Sequence, residues 1–480
     1  MARVSTHFDL TRTQPTLDFV DVDFDTDLEV FVDPRALRLI RTDWGEECVA
    51  LVQDFFTAVM EAIRHQDDDT AKRLLLQLRE PNETHLGWSA EKSRGRALGT
   101  GSAADVWRAL KSSEAAQSGL LEDLEDTVLL VDGISTDIVS DITTNLIRQP
   151  LIHYTQAACN WYGIALQTGV ASGPMWDPAT QEWFNEFTDL PMTPEGKLLL
   201  VPKAIVRRQL TYDSNEYYRD YILENLRNRE LSANTNLVKT LRGGTRRVTR
   251  KSLEEKYGRG KAVNRSVTMS DPSILTNYRL AKRSAVRPPL THEELAADEA
   301  GEAPEWAALV NDMRSISSGT KHANEYERAC EALITALFYP ALSNPMPQQK
   351  IHEGRKRIDI TYDNIATHGF FAWVAQHYCA PCIFVECKNY SDDPANPELD
   401  QLSGRFSPNR GQVGFLVCRS FSDKALFAKR CKDTAADARG FIVHLDDDDL
   451  QILARDRAAS APADQLRFEL IRSRFGALIA

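Results

Sequence analysis

The sequence predicts a multidomain protein, with an α-rich α+β N-terminal region followed by a mixed α/β C-terminal domain. The 480 residues are 42% hydrophobic and 26% charged, which is typical of globular chains with two to three domains. Apolar residues recur mainly at helical spacing in the first half, whereas short buried strands alternate with helices in the last third. Between these parts, the composition changes abruptly from strongly basic to acidic.

The N-terminal region, residues 1–238, combines several predicted helices with a few strands. Acidic and apolar residues alternate over 17–33, which predicts a half-buried strand with its carboxylates in solvent. Apolar residues at helical spacing predict an amphipathic helix over 44–65. A short apolar run at 198–203 predicts another strand, and 214–229 predicts a tyrosine-rich helix.

The segment 239–287 has fourteen basic residues and three acidic ones, although the whole chain has a net charge of −12. Affinity for polyphosphates depends mainly on such local charge, so the segment predicts contact with nucleic acid. The residues expected to make this contact include Arg246, Arg247, Arg250 and Lys251. The alternative is a solvated, flexible segment that pairs with the acidic stretch after it. That stretch, 288–305, begins with two prolines and predicts a linker.

The C-terminal domain is expected to span 306–480 and to contain both helices and buried strands. The expected elements are helices over 324–338, 370–378, 423–437 and 465–479, and strands over 357–363, 382–388, 414–419 and 440–445. A further helix is expected to open at Gln401.

Glu386 and Lys388 form the sharpest chemical signal in the chain. Residues two apart on a strand point to the same face, and Asp359 lies on the preceding predicted strand. Two carboxylates on adjacent strands can hold Mg²⁺, and a neighbouring lysine can orient or deprotonate a water that attacks a phosphodiester. Alone, Glu-x-Lys usually only ends an edge strand. It also occurs at 195–197 and 254–256, without an apolar strand before it.

The order of these signals along the chain resembles that of the PD-(D/E)xK, or restriction-endonuclease-like, nucleases, and in particular type IV and defence-associated members. The resemblance covers less than a third of the chain. It rests on Tyr326-Glu327-Arg328, Gly354-Arg-Lys-Arg-Ile-Asp359, Val385-Glu386-Cys-Lys388 and Asp400-Gln401-Leu-Ser-Gly-Arg-Phe. The fold that it implies is a central mixed sheet flanked by helices.

The resemblance also implies a role for each matching residue. Asp359 and Glu386 would hold Mg²⁺, for which Mn²⁺ can substitute, and Glu327 would assist as a third metal ligand. Lys388 would position the attacking water. Gln401 would support the site or contact phosphate.

Two features depart from the family pattern. No proline precedes Asp359, and the interval to the Glu-x-Lys motif requires an insertion over 365–381. Asp363 is therefore a rival metal ligand, because it would share a strand face with Asp359. Arg405 and Arg410 are expected either to contact phosphate or simply to lie in solvent.

Two N-terminal patterns leave alternatives open. The glycine-rich, basic stretch 93–102 could hold an anion through its amides or could be a flexible loop. Asp137, Asp141 and Asn145 share one helical face. They could bind a metal or a ligand, or could form a cap and a polar helix face.

Eight cysteines are too few for a disulfide scaffold. Cys379 and Cys382 are expected to pack in the core, with structural zinc and redox sensing as alternatives, although zinc normally needs four ligands. No apolar run approaches the roughly 18 residues that cross a bilayer, and the N-terminus has no apolar signal core. These observations predict a soluble, cytoplasmic protein without a membrane partner.

The functional prediction is a Mg²⁺-dependent endodeoxyribonuclease that acts as the effector of a bacterial anti-phage defence or restriction system. Its expected partner is DNA. The resemblance also implies a homo-oligomer, and a companion defence protein is possible. The alternatives are a nucleic-acid-binding scaffold with an inactive nuclease fold and an effector that cleaves RNA.

Overall fold

The described residues of the chain form two hydrophobic cores. The computed structural model describes residues 3–87, 100–241, 243–298, 304–351, 353, 355–459 and 468–480. The first core is built from residues before 299, together with Ile365, and the second from residues after 305.

The N-terminal region is mainly helical. Its helices are α1 Val4–His7, α2 Pro34–Leu37, α3 Asp43–Arg64, α4 Asp68–Leu75, α5 Thr100–Lys111, α6 Glu114–Gln117, α7 Asp126–Leu130, α8 Thr136–Leu146, α9 Arg148–Tyr162, α10 Ser214–Glu216, α11 Leu223–Ala233, α12 Arg250–Tyr257, α13 Lys261–Ser270, α14 Ser273–Ser284 and α15 His292–Asp298. A π-helical turn, Tyr217–Ile222, joins α10 to α11, so the predicted tyrosine-rich helix is confirmed. Helix α9 ends at Gly163, whose left-handed backbone (φ +79°) is the usual glycine cap.

The strands of this region are short and pair in twos. They are β1 Phe31–Val32, β2 Gln167–Ala171, β3 Met175–Asp177, β4 Glu182–Phe184, β5 Phe187–Leu190, β6 Met192–Thr193, β7 Gly196–Lys197, β8 Val206–Arg207, β9 Lys239–Thr240 and β10 Arg246–Arg247. The strand predicted over 198–203 is wrong, because this buried stretch has no regular strand pairing.

The strand predicted over 17–33 is also wrong except for β1, which pairs with β8. The rest of the stretch is irregular, and Asp18 and Asp21 are buried rather than solvated, each 3% exposed. The Asp18 carboxylate accepts hydrogen bonds from the Tyr154 hydroxyl at 2.7 Å and the Asn344 backbone N–H at 2.8 Å. Part of the alternating pattern therefore reflects buried carboxylates with polar partners, whereas Asp25 and Glu29 are exposed.

The described residues of the basic segment 239–287 are folded, although several of their cations are exposed. It forms β9, β10 and α12 to α14, and it packs on the N-terminal core through side chains such as Leu275 and Tyr278. Many of its cations pair with acids of the N-terminal region, not with the acidic stretch that follows. These ion pairs are Lys256–Glu230, Arg265–Asp132, Arg279–Asp126 and Lys282–Glu216.

The described part of the expected linker, 288–298, packs between the two cores. Leu290 and Leu295 are buried there. His292 is also buried, and its Nε2 donates a hydrogen bond to the Ala336 carbonyl at 3.0 Å. This stretch is therefore part of the contact between the two regions.

The C-terminal elements agree closely with the predicted helices and strands. They are α16 Trp306–Ser315, α17 Ala323–Phe338, β11 Leu342–Ile351, β12 Lys356–Asn364, α18 Gly369–His377, β13 Cys382–Lys388, α19 Asn396–Ser403, β14 Val413–Cys418, α20 Lys424–Ala436, β15 Phe441–Asp446, α21 Asp447–Ala459 and α22 Glu469–Ile479. In none of the described ranges does a helix have the length and apolar character needed to cross a membrane.

The five strands form one mixed sheet in the order β11-β12-β13-β14-β15. Neighbours are antiparallel from β11 to β13 and parallel from β13 to β15. Helix α17 covers one face, where the Tyr362 hydroxyl lies 2.9 Å from Thr335 Oγ1. Helix α20 covers the other face, where Phe427 packs on His444. The chain is thus a multi-helix α+β protein with a five-stranded mixed sheet in its C-terminal region.

Three elements of this domain, α16, β11 and α21, lie outside the sequence prediction. Strand β11 contains Pro345 and Pro347, which argue against a strand in general but are tolerated on a sheet edge. Helix α21 begins in an acidic run. There Asp446 and Asp449 each accept the other's backbone N–H, at 3.0 and 2.9 Å, which forms a capping box.

Candidate active site

The register between β12 and β13 brings the predicted residues together. Ile360 pairs with Val385, so the next step along the antiparallel ladder places Asp359 opposite Glu386. Directly opposed residues of an antiparallel pair share one face. Lys388, two residues further on, lies on this face as well. The predicted convergence of these three side chains is therefore present in the structure.

The Glu386 carboxylate is anchored through one oxygen only. Lys388 Nζ donates to Oε1 at 2.8 Å, and Gln401 Nε2 donates to the same oxygen. Gln401 Oε1 in turn accepts from Lys388 Nζ at 3.0 Å. The other oxygen, Oε2, is buried and has no hydrogen-bond partner within the described ranges, and the side chain is 1% exposed. Burying such an oxygen costs free energy unless the oxygen binds a cation or a proton.

Asp359 is also held through one oxygen. Its Oδ2 accepts the backbone N–H of Cys387 at 2.9 Å. Its Oδ1 lies 3.9 Å from a guanidinium nitrogen of Arg357, whose side chain is half exposed. This distance is too long for a direct hydrogen bond between Arg357 and Oδ1.

Glu327 reaches this site from α17. Gln348 Nε2, on β11, donates a hydrogen bond to Glu327 Oε1. Burial raises the pKa of Glu327 to about 7, and the nearby negative charges of Asp359 and Glu386 add to the shift. At neutral pH this carboxyl group can therefore either hold or release a proton.

The charges of the site keep Lys388 protonated. Burial opposes its charge, but Glu386 and Asp359 outweigh this effect and raise the pKa of Lys388 above its ordinary value. The pKa of Glu386 is also raised, first by burial and then by the charge of Asp359. Of the two roles predicted for Lys388, the geometry therefore favours orienting a water over deprotonating it.

These oxygens fit a hard divalent cation held by few protein ligands. Within the part of the chain that the structure describes, no three His, Cys, Asp or Glu side chains group closely enough to hold a metal ion. Mg²⁺ commonly uses one or two carboxylates, and waters and substrate phosphates complete its shell. Glu386 Oε2 and Asp359 Oδ1 fit this minimal set. Glu327 lies beside the pair and does not complete a three-carboxylate group.

Basic side chains surround the site. Gln401 lies within α19 rather than at its start, and Arg405 follows that helix. The positive charge of Arg405 acts on Glu386 and lowers its pKa, which opposes the larger effect of burial. Arg410 donates to the Arg405 carbonyl at 3.2 Å, and Lys356 Nζ donates to the Gly404 carbonyl at 3.0 Å. The two predicted arginines are therefore half-buried rather than freely solvated.

Asp363 does not belong to this site. It pairs with Cys382, four residues before Glu386 on β13, and is completely buried. Its Oδ2 accepts hydrogen bonds from Asn344 Nδ2 at 2.7 Å and Thr42 Oγ1 at 3.4 Å. The sequence left Asp363 as an alternative metal ligand because strand periodicity defines the face of a side chain but not its position along the strand.

Asp363 should make stability depend on pH. Burial raises its pKa to about 7, whereas an unfolded aspartate titrates near about 3.9. The folded state therefore binds the proton more tightly, and ionisation between these values costs stability. The free energy of unfolding of Asp363→Asn, relative to wild type, should rise between about pH 4 and about pH 7. Urea denaturation across this range measures it.

The exposed Asp392 provides the control for this prediction. Asp392→Asn makes the same substitution at the protein surface and is measured alongside Asp363→Asn. A difference for Asp363→Asn that does not change with pH would show that Asp363 does not titrate in this way.

The two cysteines do not form a metal site in the described structure. Cys382 is buried, and its Sγ lies 3.9 Å from Asp363 Oδ1. Cys379 is exposed, and its Sγ donates to the Pro408 carbonyl at 2.7 Å. No zinc ligand set accompanies them among the described residues. The predicted packing in the core is therefore confirmed for Cys382 and wrong for Cys379.

The candidate residues of the N-terminal region show less evidence of a ligand site than the carboxylates of the sheet. Asn145 Nδ2 donates to the backbone carbonyls of Asp141 and Arg79, at 2.7 and 2.5 Å, so it binds main chain rather than a ligand. Burial, followed by the charge of Asp137, raises the pKa of Asp141 to about 9. Most of the glycine-rich stretch, 93–99, lies outside the described residues.

The N-terminal part of the chain matches one family model. Residues 9–213 match a family described as a domain of unknown function, DUF8370. The match ends before the basic segment and before the sheet that carries Asp359 and Glu386. No curated protein and no solved structure matches the chain significantly.

Proposed function

We propose that this chain is a Mg²⁺-dependent nuclease of the PD-(D/E)xK type, which hydrolyses DNA phosphodiester bonds at Asp359, Glu386 and Lys388. The observation that carries the proposal is the buried Oε2 of Glu386. It has no hydrogen-bond partner among the described residues, and the other oxygen of the same carboxylate holds a lysine. One carboxylate group thus presents an oxygen without a hydrogen-bond partner among the described residues and, on its other oxygen, a fixed positive charge.

Each polar residue has a distinct part in the proposed reaction. Bound Mg²⁺ or Mn²⁺ would polarise the phosphate and lower the pKa of a coordinated water. Asp359 and Glu386 would hold this cation. Lys388, held by Gln401 and Glu386, orients the attacking water and offsets the phosphate charge.

The proposed step is a hydrolysis. The water oxygen bonds to phosphorus while one bond from phosphorus to a sugar oxygen breaks. The water gives up a proton, and the proposed acceptor is the Glu327 carboxylate beside Asp359 and Glu386. The departing sugar oxygen takes a proton from solvent.

Cations around the site support a phosphate substrate. Lys356 and Arg357 are exposed at the start of β12, and Arg405 acts electrostatically on Glu386. Positive charge around a carboxylate pair attracts a polyanion towards a site that would otherwise repel it. The antiviral setting, the homo-oligomer and a companion protein remain predictions from the resemblance.

A second basic surface is proposed to bind DNA outside the active site. Arg246 and Arg247 are exposed on β10, and Lys251 is 85% exposed at the start of α12. Arg250 pairs with Glu254, and Lys251 Nζ lies 3.9 Å from Glu255 Oε1, so the charges of both cations are partly neutralised. Within the basic segment, we therefore propose that Arg246, Arg247 and Lys251 make the contact with nucleic acid.

Removal of this charge should weaken DNA binding uniformly across sequences. For the double variant Arg247→Gln with Lys251→Gln, the slope of log affinity against log salt should become less steep by about 1 for each lost phosphate contact. Fluorescence anisotropy with a labelled duplex over a salt series measures the slope. Lys432→Gln, at an exposed position on α20, is the matched control. An unchanged slope in the double variant would show that this surface does not bind DNA.

The choice of substrate is tested with the full chain. Supercoiled plasmid and a structured RNA are incubated side by side, with Mg²⁺ or with a chelator. We expect the plasmid to be cut only with Mg²⁺ and the RNA to stay intact. Cleavage of the RNA alone would instead favour an RNA-cleaving effector. Duplex binding without cleavage of either substrate would favour an inactive scaffold.

A further inference from the structure

The strand that carries Glu386 and Lys388 leaves the sheet directly after the lysine. Strand β13 ends at Lys388, and the pairing of Lys388 with Cys418 is the last in its ladder with β14. On the other side, the backbone pairing of β13 with β12 already stops at Val385. The sheet therefore holds the backbone of Lys388 from one side only, and Asn389, which follows it, has no partner in the described ladders.

Asn389 replaces the missing strand pairing with hydrogen bonds to a loop, residues 316–319. Its Nδ2 donates to the backbone carbonyls of Ser317 and Gly319, at 2.9 and 3.0 Å. Its own backbone carbonyl accepts the Gly319 N–H at 2.7 Å. These three hydrogen bonds tie the residue after Lys388 to the loop, and Asn389 is only 2% exposed.

The same loop leads into the helix that carries Glu327. It continues into a short 3₁₀ turn, Thr320–His322, and then directly into α17. Glu327 lies on α17 beside Asp359 and Glu386, whose charges act on it. The hydrogen bonds of Asn389 therefore join the two elements that supply the lysine and the third carboxylate of the proposed site.

Gly319 gives the loop the backbone shape that this contact needs. Its N–H and its carbonyl take part in two of the three hydrogen bonds. Its φ of +114° lies in a region that residues with side chains rarely adopt. A Cβ at this position would meet no atom within 4 Å, so only the backbone conformation restricts the residue. Alanine at this position should therefore disturb the loop without a steric clash.

The stability of the fold alone does not explain an asparagine at this buried position. Asn389 Oδ1 is buried and has no hydrogen-bond partner within the described ranges. Burying an unpaired acceptor costs free energy, which offsets part of what the two Nδ2 hydrogen bonds contribute. A leucine would remove both the hydrogen bonds and the unpaired oxygen, and Ser317 and Gly319 are exposed enough for water to reach their carbonyls. We therefore expect the Asn389→Leu variant to fold.

We infer that Asn389 is a positioning residue for Lys388. It fixes the end of β13 to the loop, and so sets the place from which Lys388 Nζ reaches Glu386 Oε1 and Gln401 Oε1. Asn389 itself contacts neither substrate nor cation. The inference rests on the proposed function, in which Lys388 orients the attacking water. A misplacement of about 1 Å can lower an enzymatic rate by a factor of about 10².

The first measurement needs neither cation nor DNA. The side chain of Lys388 is 10% exposed, and its acetylation by an amine-reactive reagent is followed in the full chain by mass spectrometry. In Asn389→Leu the looser strand end should make this acetylation at least about twofold faster, because local opening exposes the amine more often. Lys432, which is exposed on α20, should react equally in both proteins. Unchanged acetylation of Lys388 would overturn the inference.

The second measurement is plasmid cleavage at saturating Mg²⁺. The kcat of Asn389→Leu should fall about tenfold, whereas KM for the plasmid should not change, since Asn389 does not bind the substrate. Gly319→Ala should change both the acetylation and kcat in the same direction. Asn311→Leu, at an exposed position on α16, is the matched control and should match wild type.

Circular dichroism checks each fold, and Gly319→Ala decides if Asn389→Leu does not fold. If wild type cuts and a folded variant has the same kcat, Asn389 does not position Lys388. A raised KM with an unchanged kcat would also overturn this role. No cleavage by wild type would instead contradict the proposed function on which the inference rests.

Discussion

Replacing Lys388 with alanine should lower the rate of Mg²⁺-dependent plasmid cleavage by a factor of about 10²–10³, the usual loss when one fixed charge-stabilising donor is removed. Lys388 Nζ lies 2.8 Å from Glu386 Oε1 and 3.0 Å from Gln401 Oε1. Two acceptors therefore fix its position, and its raised pKa keeps it charged. The substitution removes the only cation that contacts the Glu386 carboxylate in the described structure.

The measurement is the initial rate at which supercoiled plasmid is nicked and linearised. Lys432→Ala is the control, since Lys432 is exposed on α20 and has no part in the site. Circular dichroism shows whether both variants fold. Equal rates for wild type and a folded Lys388→Ala variant would show that Lys388 has no role in the reaction.

The second large effect is expected at the contact between the two regions. Arg12 Nη2 lies 2.6 Å from Glu331 Oε2, and the Glu331 side chain is 0% exposed. Trp161 Nε1 also donates to Glu331, at 3.2 Å. Arg12→Met leaves this carboxylate buried without its counter-charge, so the free energy of unfolding should fall by about 3–5 kcal/mol.

Urea denaturation measures this fall in the free energy of unfolding. Two further variants show whether it comes from the buried ion pair. Arg73→Met is the control, because Arg73 and Glu182 form an exposed pair that contributes only about 0–1 kcal/mol. Adding Glu331→Met to Arg12→Met should recover part of the stability, since an apolar pair avoids the cost of burying one charge. If Arg12→Met is no more destabilised than Arg73→Met, the ion pair does not join the two regions.

The sheet domain was the most predictable part of the fold. Strands β12 to β15 are runs of apolar, β-branched and aromatic residues bounded by polar ones, so periodicity alone locates them. Strand β11 escaped this pattern because Pro345 and Pro347 interrupt it, and only its edge position makes them acceptable. The missed strand carries Gln348, the partner of Glu327, so this part of the site was missed as well.

Long-range polar contacts were the least predictable part. The acidic residues of 17–33 alternate as on a wet strand, yet Asp18 is buried between partners that come from distant parts of the chain. The basic segment likewise suggested free charge, but Arg279 and Lys282 are bound by acids of other elements. Composition records how much charge a segment has and not where its counter-charges lie.

The carboxylate site was predictable because it is built from neighbouring strands. Asp359 and Glu386 needed only an antiparallel register to meet, and Lys388 shares their face by strand period.

The most direct test of the proposed site is plasmid cleavage by wild type and Asp359→Ala over a series of Mg²⁺ concentrations. Asp359 contributes one of the two proposed cation ligands, and its loss leaves the Lys388 contacts in place. Wild type should cut in proportion to Mg²⁺ occupancy, and the variant should lose nearly all cleavage at every concentration. Undiminished, Mg²⁺-dependent cleavage by a folded Asp359→Ala variant would contradict the assignment of Asp359 and Glu386 as the cation site.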